Sequence, residues 1–298
     1  MLDEEPGADE VRCVIYVGTC GYAYKDWIGP FYPGTIKTTE MLGYYARHFA
    51  AVEIDASYYG VPSKKTTAAM AARTPANFRF CFKVPATLTH PPPELLCAVH
   101  PDAELFRDSL ETLIDARKLG AVLMQFPNGF KPSERTQEYL AGVAAALGGL
   151  PLVAEFRNRQ WQRPETLRML GALGVGWCNV DMPRLESLML PSSDATTGIG
   201  YVRLHGRNAA QWWSGDNVTR YAYTYEREEL VPWADRVAEI EEAVETTYAF
   251  FNNHARGSAA KNAEMFAELL EERYGSAAAA VCRPAERPPA QPGFPGLE

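Results

Sequence analysis

Four residues that can move protons or hold charge stand at or near the ends of short apolar runs: Glu53, Lys83, Glu155 and His205. Carboxylates and imidazoles serve as general acids and bases. An ammonium such as Lys83 stays protonated and electrophilic beside carboxylates, and in an apolar pocket loses its proton and can form a Schiff base. Groups suited to planar anions surround them: Arg157, Arg203 and Arg207, with His90. Gln125, Asn208, Asn252 and Asn253 add directed hydrogen bonds, Asp181 adds a carboxylate, and Tyr22, Trp27 and Tyr59 offer rings that stack on sugars or bases. This set predicts acid–base chemistry on an anionic small molecule, phosphorylated or polyhydroxylated. Arg157, Arg203 and Arg207 would hold the anion. Glu53 or Glu155 would act as base or acid, with Lys83 or His205 in the complementary role.

The elements that must position these residues alternate along the chain. Strand candidates are Val14–Val17, Ala51–Ile54, Phe78–Val84, Ala121–Phe126, Leu152–Phe156, Val175–Val180, Tyr201–His205 and Thr247–Phe251. Helical spacing separates most of them, as in Leu140, Val143, Ala144 and Leu147, or Leu230, Trp233, Ala234 and Val237. Leu105, Phe106, Leu110, Leu113 and Ile114 are read as one face of another helix, and Ser258 as the N-cap of a last one. About eight β-then-α units predict a single (β/α)8 TIM barrel. A doubly wound sheet would normally carry a Gly-rich phosphate turn after its first strand, and Gly18-Thr19-Cys20-Gly21 is not one. Residues 181–200 show no helical stripe, so the sixth βα connection is expected to be irregular. The barrel is expected over residues 13–274, with a flexible acidic segment at 1–12 and a disordered Ala/Pro-rich tail at 275–298.

Side chains alternate faces along a strand. Tyr201, Arg203 and His205 therefore share a face, as do Glu155 and Arg157, Cys81 and Lys83, and Glu53 and Asp55. If the apolar partners face the helices, the polar sets point into the barrel. Buried charges are costly unless paired, and Glu53, Glu155 and Asp181 could neutralise Lys83, Arg157 and Arg203. Two readings follow: an internal ion-pair network that merely closes the barrel, or a polar floor beneath a site at the C-terminal mouth, where barrel enzymes place their catalysts. The second is preferred.

At 298 residues, with 47% hydrophobic and 22% charged residues, the composition is globular. No apolar run approaches the roughly 18 residues of a membrane helix, and the first ten residues are acidic rather than signal-like, so a soluble cytoplasmic protein without a membrane role is expected. A net charge of -8 argues against sequence-blind binding to long nucleic acid. Six cysteines without a C-x-x-C pair give no disulfide or zinc framework. Three functions are carried forward. An enzyme on an anionic small molecule is preferred. Phosphodiester chemistry resembling endonuclease-IV-type barrels, with carboxylates and His205 or His254 on a divalent metal, is disfavoured because the chain has only five His. A non-catalytic ligand-binding barrel is the third. No cofactor is identified, and no oligomeric state is inferred.

Several motifs also carry a family likeness. Gly18-Thr19-Cys20-Gly21-Tyr22, Tyr45-Ala46-Arg47-His48-Phe49, Val52-Glu53-Ile54-Asp55, Phe78-Arg79-Phe80 with Lys83, and Ala154-Glu155-Phe156-Arg157 are among them. So are Tyr201-Val202-Arg203-Leu204-His205-Gly206-Arg207 and Phe251-Asn252-Asn253-His254 with Gly257, Lys261 and Asn262. In this order, from Val14 to Tyr274, they resemble the family called domain of unknown function 72. The resemblance implies a TIM barrel and no settled activity. The family usually has Ser-Gly-Trp where this chain has Cys20-Gly21-Tyr22, and Asn where it has Asp55, so a serine nucleophile there would be a thiol here; a lining or buried thiol is the preferred reading.

Overall fold

Eight short strands rich in β-branched and aromatic residues pair in parallel throughout. They are β1 (Val14–Thr19), β2 (Ala51–Ile54), β3 (Arg79–Lys83), β4 (Leu119–Gln125), β5 (Leu152–Glu155), β6 (Gly176–Asp181), β7 (Ile199–Leu204) and β8 (Thr246–Phe251). The computed structural model describes residues 13–92, 94, 96, 98–274 and 281–284. Helices α1 (Thr38–Tyr45), α2 (Lys64–Ala72), α3 (Ala86–Thr89), α4 (Asp102–Ser109), α5 (Glu111–Asp115), α6 (Glu134–Ala146), α7 (Pro164–Ala172), α8 (Arg227–Glu241) and α9 (Ser258–Tyr274) alternate with them. The order β1-β8-β7-β6-β5-β4-β3-β2 is that of a TIM barrel, and no helix stands between β6 and β7, the connection expected to be irregular. No helix is long and apolar enough to cross a membrane among the described residues.

The β1–β2 seam closes in an unusual way. Among the described residues its one strand-like pairing is at the top, where Cys20 bridges Glu53 and Gly21 N–H donates to the Glu53 carbonyl at 2.7 Å. Lower down, the Tyr45 hydroxyl stands between the strands: it accepts from the Thr19 N–H at 2.9 Å and donates to the Ala51 carbonyl at 3.1 Å. The phenol thus replaces a missing ladder bond. Gly18 makes room for the seam, because a Cβ there would lie 2.2 Å from the Ala51 carbonyl oxygen. Tyr45→Phe orphans a buried donor and acceptor and is expected to cost about 1–3 kcal/mol. Urea unfolding would measure it, and a loss within error of zero would contradict this role.

Inside, the barrel is filled in layers. Tyr16 and Tyr248 stack at 5.3 Å near the bottom, with Arg79 5.6 Å over the Tyr16 ring. Cys81, Cys178, Tyr201 and Phe250 are buried above them, and the charged layer follows.

Four sequence expectations change. The apolar run at 105–114 is broken at Leu110 into α4 and α5, which leaves Leu105 and Ile114 exposed while Phe106, Leu110 and Leu113 are buried. Ser258 is no N-cap: a tight turn at Ala255–Gly257, with Arg256 and Gly257 at positive φ, leads straight into α9, and the Ser258 hydroxyl meets Thr224 at 2.9 Å. Val281–Pro284, within the stretch expected to be disordered, is placed. Val281 bridges Ile15 on the edge of β1 that β2 leaves unpaired, and Arg283 pairs with Glu271 of α9 at 2.6 Å. Residues 1–12, 275–280 and 285–298 lie outside the described residues, and the expectations for them rest there. Asp181 is the fourth. Alternation along β6 groups it with Trp177 and Asn179 on the helix-facing side, away from the inward Cys178, and it bonds Trp233 Nε1 of α8 at 3.2 Å.

Candidate active site

Arg203, rising from β7 into the barrel, holds the charged layer together. Its Nη1 donates to Glu155 Oε2 at 2.5 Å, and its Nη2 to Glu53 Oε1 at 2.6 Å. Tyr201, two residues earlier on the same face, donates to the other Glu53 oxygen at 2.6 Å. The remaining Glu155 oxygen meets Arg157 Nε at 2.5 Å and His205 Nε2 at 3.2 Å. All these groups are buried. Burial disfavours the charged form of Glu155, but Arg157, Arg203 and His205 overcome it and hold that carboxyl well below the usual range. Burial pushes Glu53 the other way, with Arg203 pulling against it.

His205 is held neutral. The Asn252 amide donates to Nδ1 at 2.9 Å, which assigns the ring proton to Nε2, facing Glu155. Burial and the adjacent Arg157 push the imidazole down to about 3. Burial also lowers His90 and His48, each to about 4. A histidine depressed when folded is protonated first in the unfolded chain, so stability is lost as pH falls from about 6.5. Each such group contributes a slope of about 1.4 kcal/mol per pH unit once its unfolded form is protonated. His205→Gln should remove one such slope between pH 6 and 5, above the range where Glu155 matters. Chemical unfolding across that range checks it, and an unchanged slope would contradict it.

Above this layer opens a cavity of about 950 Å³ at the C-terminal mouth. Its floor presents Asp55, Lys83, Gln125, Arg157, Arg203 and Asn252. Lys83 Nζ stands 4.3 Å over the Tyr58 ring, and no ion pair engages it among the described residues. His254 stacks on Tyr24 at 4.7 Å in one wall, and Trp212 and Tyr221 from the β7–α8 loop form another. The rim carries Tyr59 and Trp213, 77% and 57% exposed.

Of the residues singled out from sequence, Tyr22, Tyr59, Lys83, His90, Gln125, Arg157, Arg203 and Asn252 line this cavity. Glu53, Glu155 and His205 lie beneath its floor, where they set the charge of those that line it. The others are supports. Trp27 is buried and donates from Nε1 to the His254 carbonyl at 2.6 Å. Arg207 pairs with Asp181 at 2.8 Å and Glu229 at 2.9 Å. Asn208 donates to the Thr219 carbonyl at 2.9 Å and Asn253 to that of Tyr223, also at 2.9 Å, so both shape the β7–α8 loop. Asn252 faces inward and Asn253 outward by alternation.

The preferred site residues did not include Asp55 or Tyr221, and His254 entered only as a candidate metal ligand. Strand alternation from Glu53 reaches Asp55, whereas Tyr221 sits in an irregular loop where no periodicity points to it.

Among the described residues, Cys20, Glu53 and Asp55 form a group whose ligand atoms lie within 4.8 Å of one another. A divalent metal does not suit them, because Arg203 Nη2 stands among all three, 3.3 Å from Cys20 Sγ, 2.6 Å from Glu53 and 3.6 Å from Asp55. Burial also pushes the Cys20 thiol well above its ordinary range, away from the thiolate a metal or a nucleophile needs. His205 and His254 are engaged elsewhere, with Asn252 and with the Asn217 carbonyl.

The model of the family described as "Protein of unknown function DUF72" matches residues 16–289. The UPF0759 protein YunF of Bacillus subtilis is 30% identical over 278 residues, covering 89% of this chain and 98% of the relative. The crystal structure of a DUF72 family protein from Thermotoga maritima has 36% identity and a TM-score of 0.78, covering 87% of this chain and 99% of that one. One from Enterococcus faecalis has 27% identity and a TM-score of 0.76, covering 87% and 96%.

Proposed function

The chain belongs to the DUF72 family, and on that premise we propose that it is an enzyme that binds an anionic small molecule, phosphorylated or polyhydroxylated, at the C-terminal mouth and acts on it by acid–base chemistry. One observation carries the reading. Beneath the floor Arg203 and Tyr201 donate to Glu53, Arg203 donates to one oxygen of Glu155, and Arg157 and His205 stand within ion-pair distance of the other. Lys83 is left over: it lines the cavity that Arg157 also lines, without an ion-pair partner among the described residues. A half-buried ammonium without an ion-pair partner at the cavity can pair with a ligand's negative charge. Gln125 and Asn252 offer neutral hydrogen bonds suited to hydroxyl groups. The exposed Tyr59 and Trp213 give apolar faces at the entrance for a sugar or other ring.

Metal-assisted phosphodiester chemistry is disfavoured by Arg203 standing at the centre of the Cys20, Glu53 and Asp55 group. A thermal-shift series with inorganic phosphate, sugar phosphates and the matching neutral sugars tests the anionic reading. A ligand that binds only the folded chain adds about 2.7 kcal/mol at one hundred times its Kd. The phosphorylated compounds should raise the midpoint with concentration, and the neutral sugars should need much higher concentrations. Equal shifts from both classes, or none from any anion, would overturn the reading.

A further inference from the structure

We propose that Asp55 selects the ligand by accepting a hydrogen bond from one of its hydroxyl groups, while Lys83 and Arg157 take its negative charge. The ligand class is then a phosphorylated sugar or polyol, with hydroxyl and phosphate on one molecule. This rests on the anion-site reading above and narrows it. Among the described residues Asp55 is the one carboxylate that lines the cavity, against Lys83, Arg157, Arg203 and Arg220. It follows β2 at the position level with Lys83, one step past the paired Ile54 and Phe82. Adjacent strands lie only about 4.8 Å apart, yet these two opposite charges do not meet. Lys83 Nζ lies over the Tyr58 ring, and the ion-pair contact of Asp55 is Arg203 Nη2 at 3.6 Å.

That contact is too long for a hydrogen bond, because the same nitrogen donates to Glu53 at 2.6 Å. Asp55 Oδ1 is buried and accepts no hydrogen bond among the described residues. An ionised carboxylate accepts hydrogen bonds and donates none, so the missing partner is a donor. A small molecule can bring an ammonium or a hydroxyl. An ammonium would add a positive charge beside Arg203, in a cavity that Lys83, Arg157 and Arg220 also line. A hydroxyl adds none, and its bond to a carboxylate is roughly twice as strong as a neutral one. Gln125 and Asn252 line the same cavity and suit further hydroxyls. A bare phosphate meets Asp55 only as a like charge. Asp55 thus opposes an anion alone and favours an anion that brings its own donor, which is discrimination by repulsion and attraction together.

Isothermal titration of wild type and Asp55→Asn with inorganic phosphate, glycerol 3-phosphate, ribose 5-phosphate, glucose 6-phosphate and phosphoethanolamine reads the proposal without an assay of turnover. Wild type should bind at least one of the three hydroxylated phosphates more tightly than inorganic phosphate. Asp55→Asn should weaken that compound about tenfold, the difference between a charged and a neutral acceptor. The same variant should bind inorganic phosphate as tightly as wild type or more tightly. The substitution keeps the shape of the side chain and leaves the Asp55 carbonyl to accept from the Tyr58 N–H, and an unfolding curve beside each titration confirms the fold. Equal affinities of wild type and Asp55→Asn for the hydroxylated compounds, a parallel loss for inorganic phosphate, or an Asp55-dependent preference for phosphoethanolamine would overturn the role. The two readings fail separately. Phosphate binding without any gain from hydroxyl groups removes Asp55 alone, whereas no binding of any phosphate compound removes the anion site.

Discussion

Arg203→Met is expected to cost the fold about 3–5 kcal/mol at pH 7, the usual penalty for removing one partner of a buried charge network. The guanidinium is 1% exposed and touches Glu53, Glu155 and Cys20, so its loss leaves two buried carboxylates short of their main donor. The pH dependence has a definite sign. Without Arg203 the folded pKa of Glu53, already raised by burial, rises further and that of Glu155 rises with it, so the variant loses stability as pH rises and recovers relative to wild type towards pH 5. Adding Glu53→Gln and Glu155→Gln should restore part of the loss, because the uncompensated charge goes with them. Urea unfolding at pH 7 and 5 reads both effects. A loss below about 1 kcal/mol, or one independent of pH, would contradict the network.

The second large effect concerns binding. Lys83→Met should weaken the affinity for inorganic phosphate about 10- to 100-fold, the equivalent of one charge-assisted hydrogen bond of about 1.5–3 kcal/mol. Its effect on folding should be small, because the ammonium makes a cation–π contact with Tyr58 and no ion pair among the described residues. Such a contact contributes about 0.5–1 kcal/mol at an exposed site. The separation matters. Arg157→Met would also weaken binding, but it orphans Glu155 and so mixes folding with recognition. Isothermal titration of wild type and Lys83→Met with phosphate, each alongside its unfolding curve, separates the two. Equal affinities would show that Lys83 does not meet the anion.

Much of this architecture was legible in the sequence because a strand repeats every two residues. That repeat placed Tyr201, Arg203 and His205 on one face and brought Glu53, Glu155 and Arg157 opposite them, as the structure does. Applied to β6, the same rule sends Asp181 outward with Trp177 and Asn179; grouping it with the inward acids ignored its neighbours' parity. Depth was not legible. Alternation says that Glu155 and Lys83 both face the barrel interior, but one is fully covered by Arg203 and the other opens into the cavity only because of their heights along β5 and β3. The conformation of the loops was not legible either. Tyr221 and Trp212 are brought over the floor by a connection anchored through Arg207, Asn208, Tyr225 and Asn253, residues that looked like ligand contacts or ordinary packing and instead hold the loop. The Tyr45 closure follows from no strand or helix period, since its hydroxyl serves two strands from a residue outside both.

The proposed site holds an anion at the mouth of the barrel between Lys83 and Arg157. A crystal soaked in selenate, with the selenium located by its anomalous signal, tests it directly. The expected result is an anomalous peak in the cavity within hydrogen-bonding distance of Lys83 Nζ and the Arg157 guanidinium, absent from Lys83→Met crystals soaked in the same way. A cavity without selenium, while anions occupy only other surfaces, would contradict it.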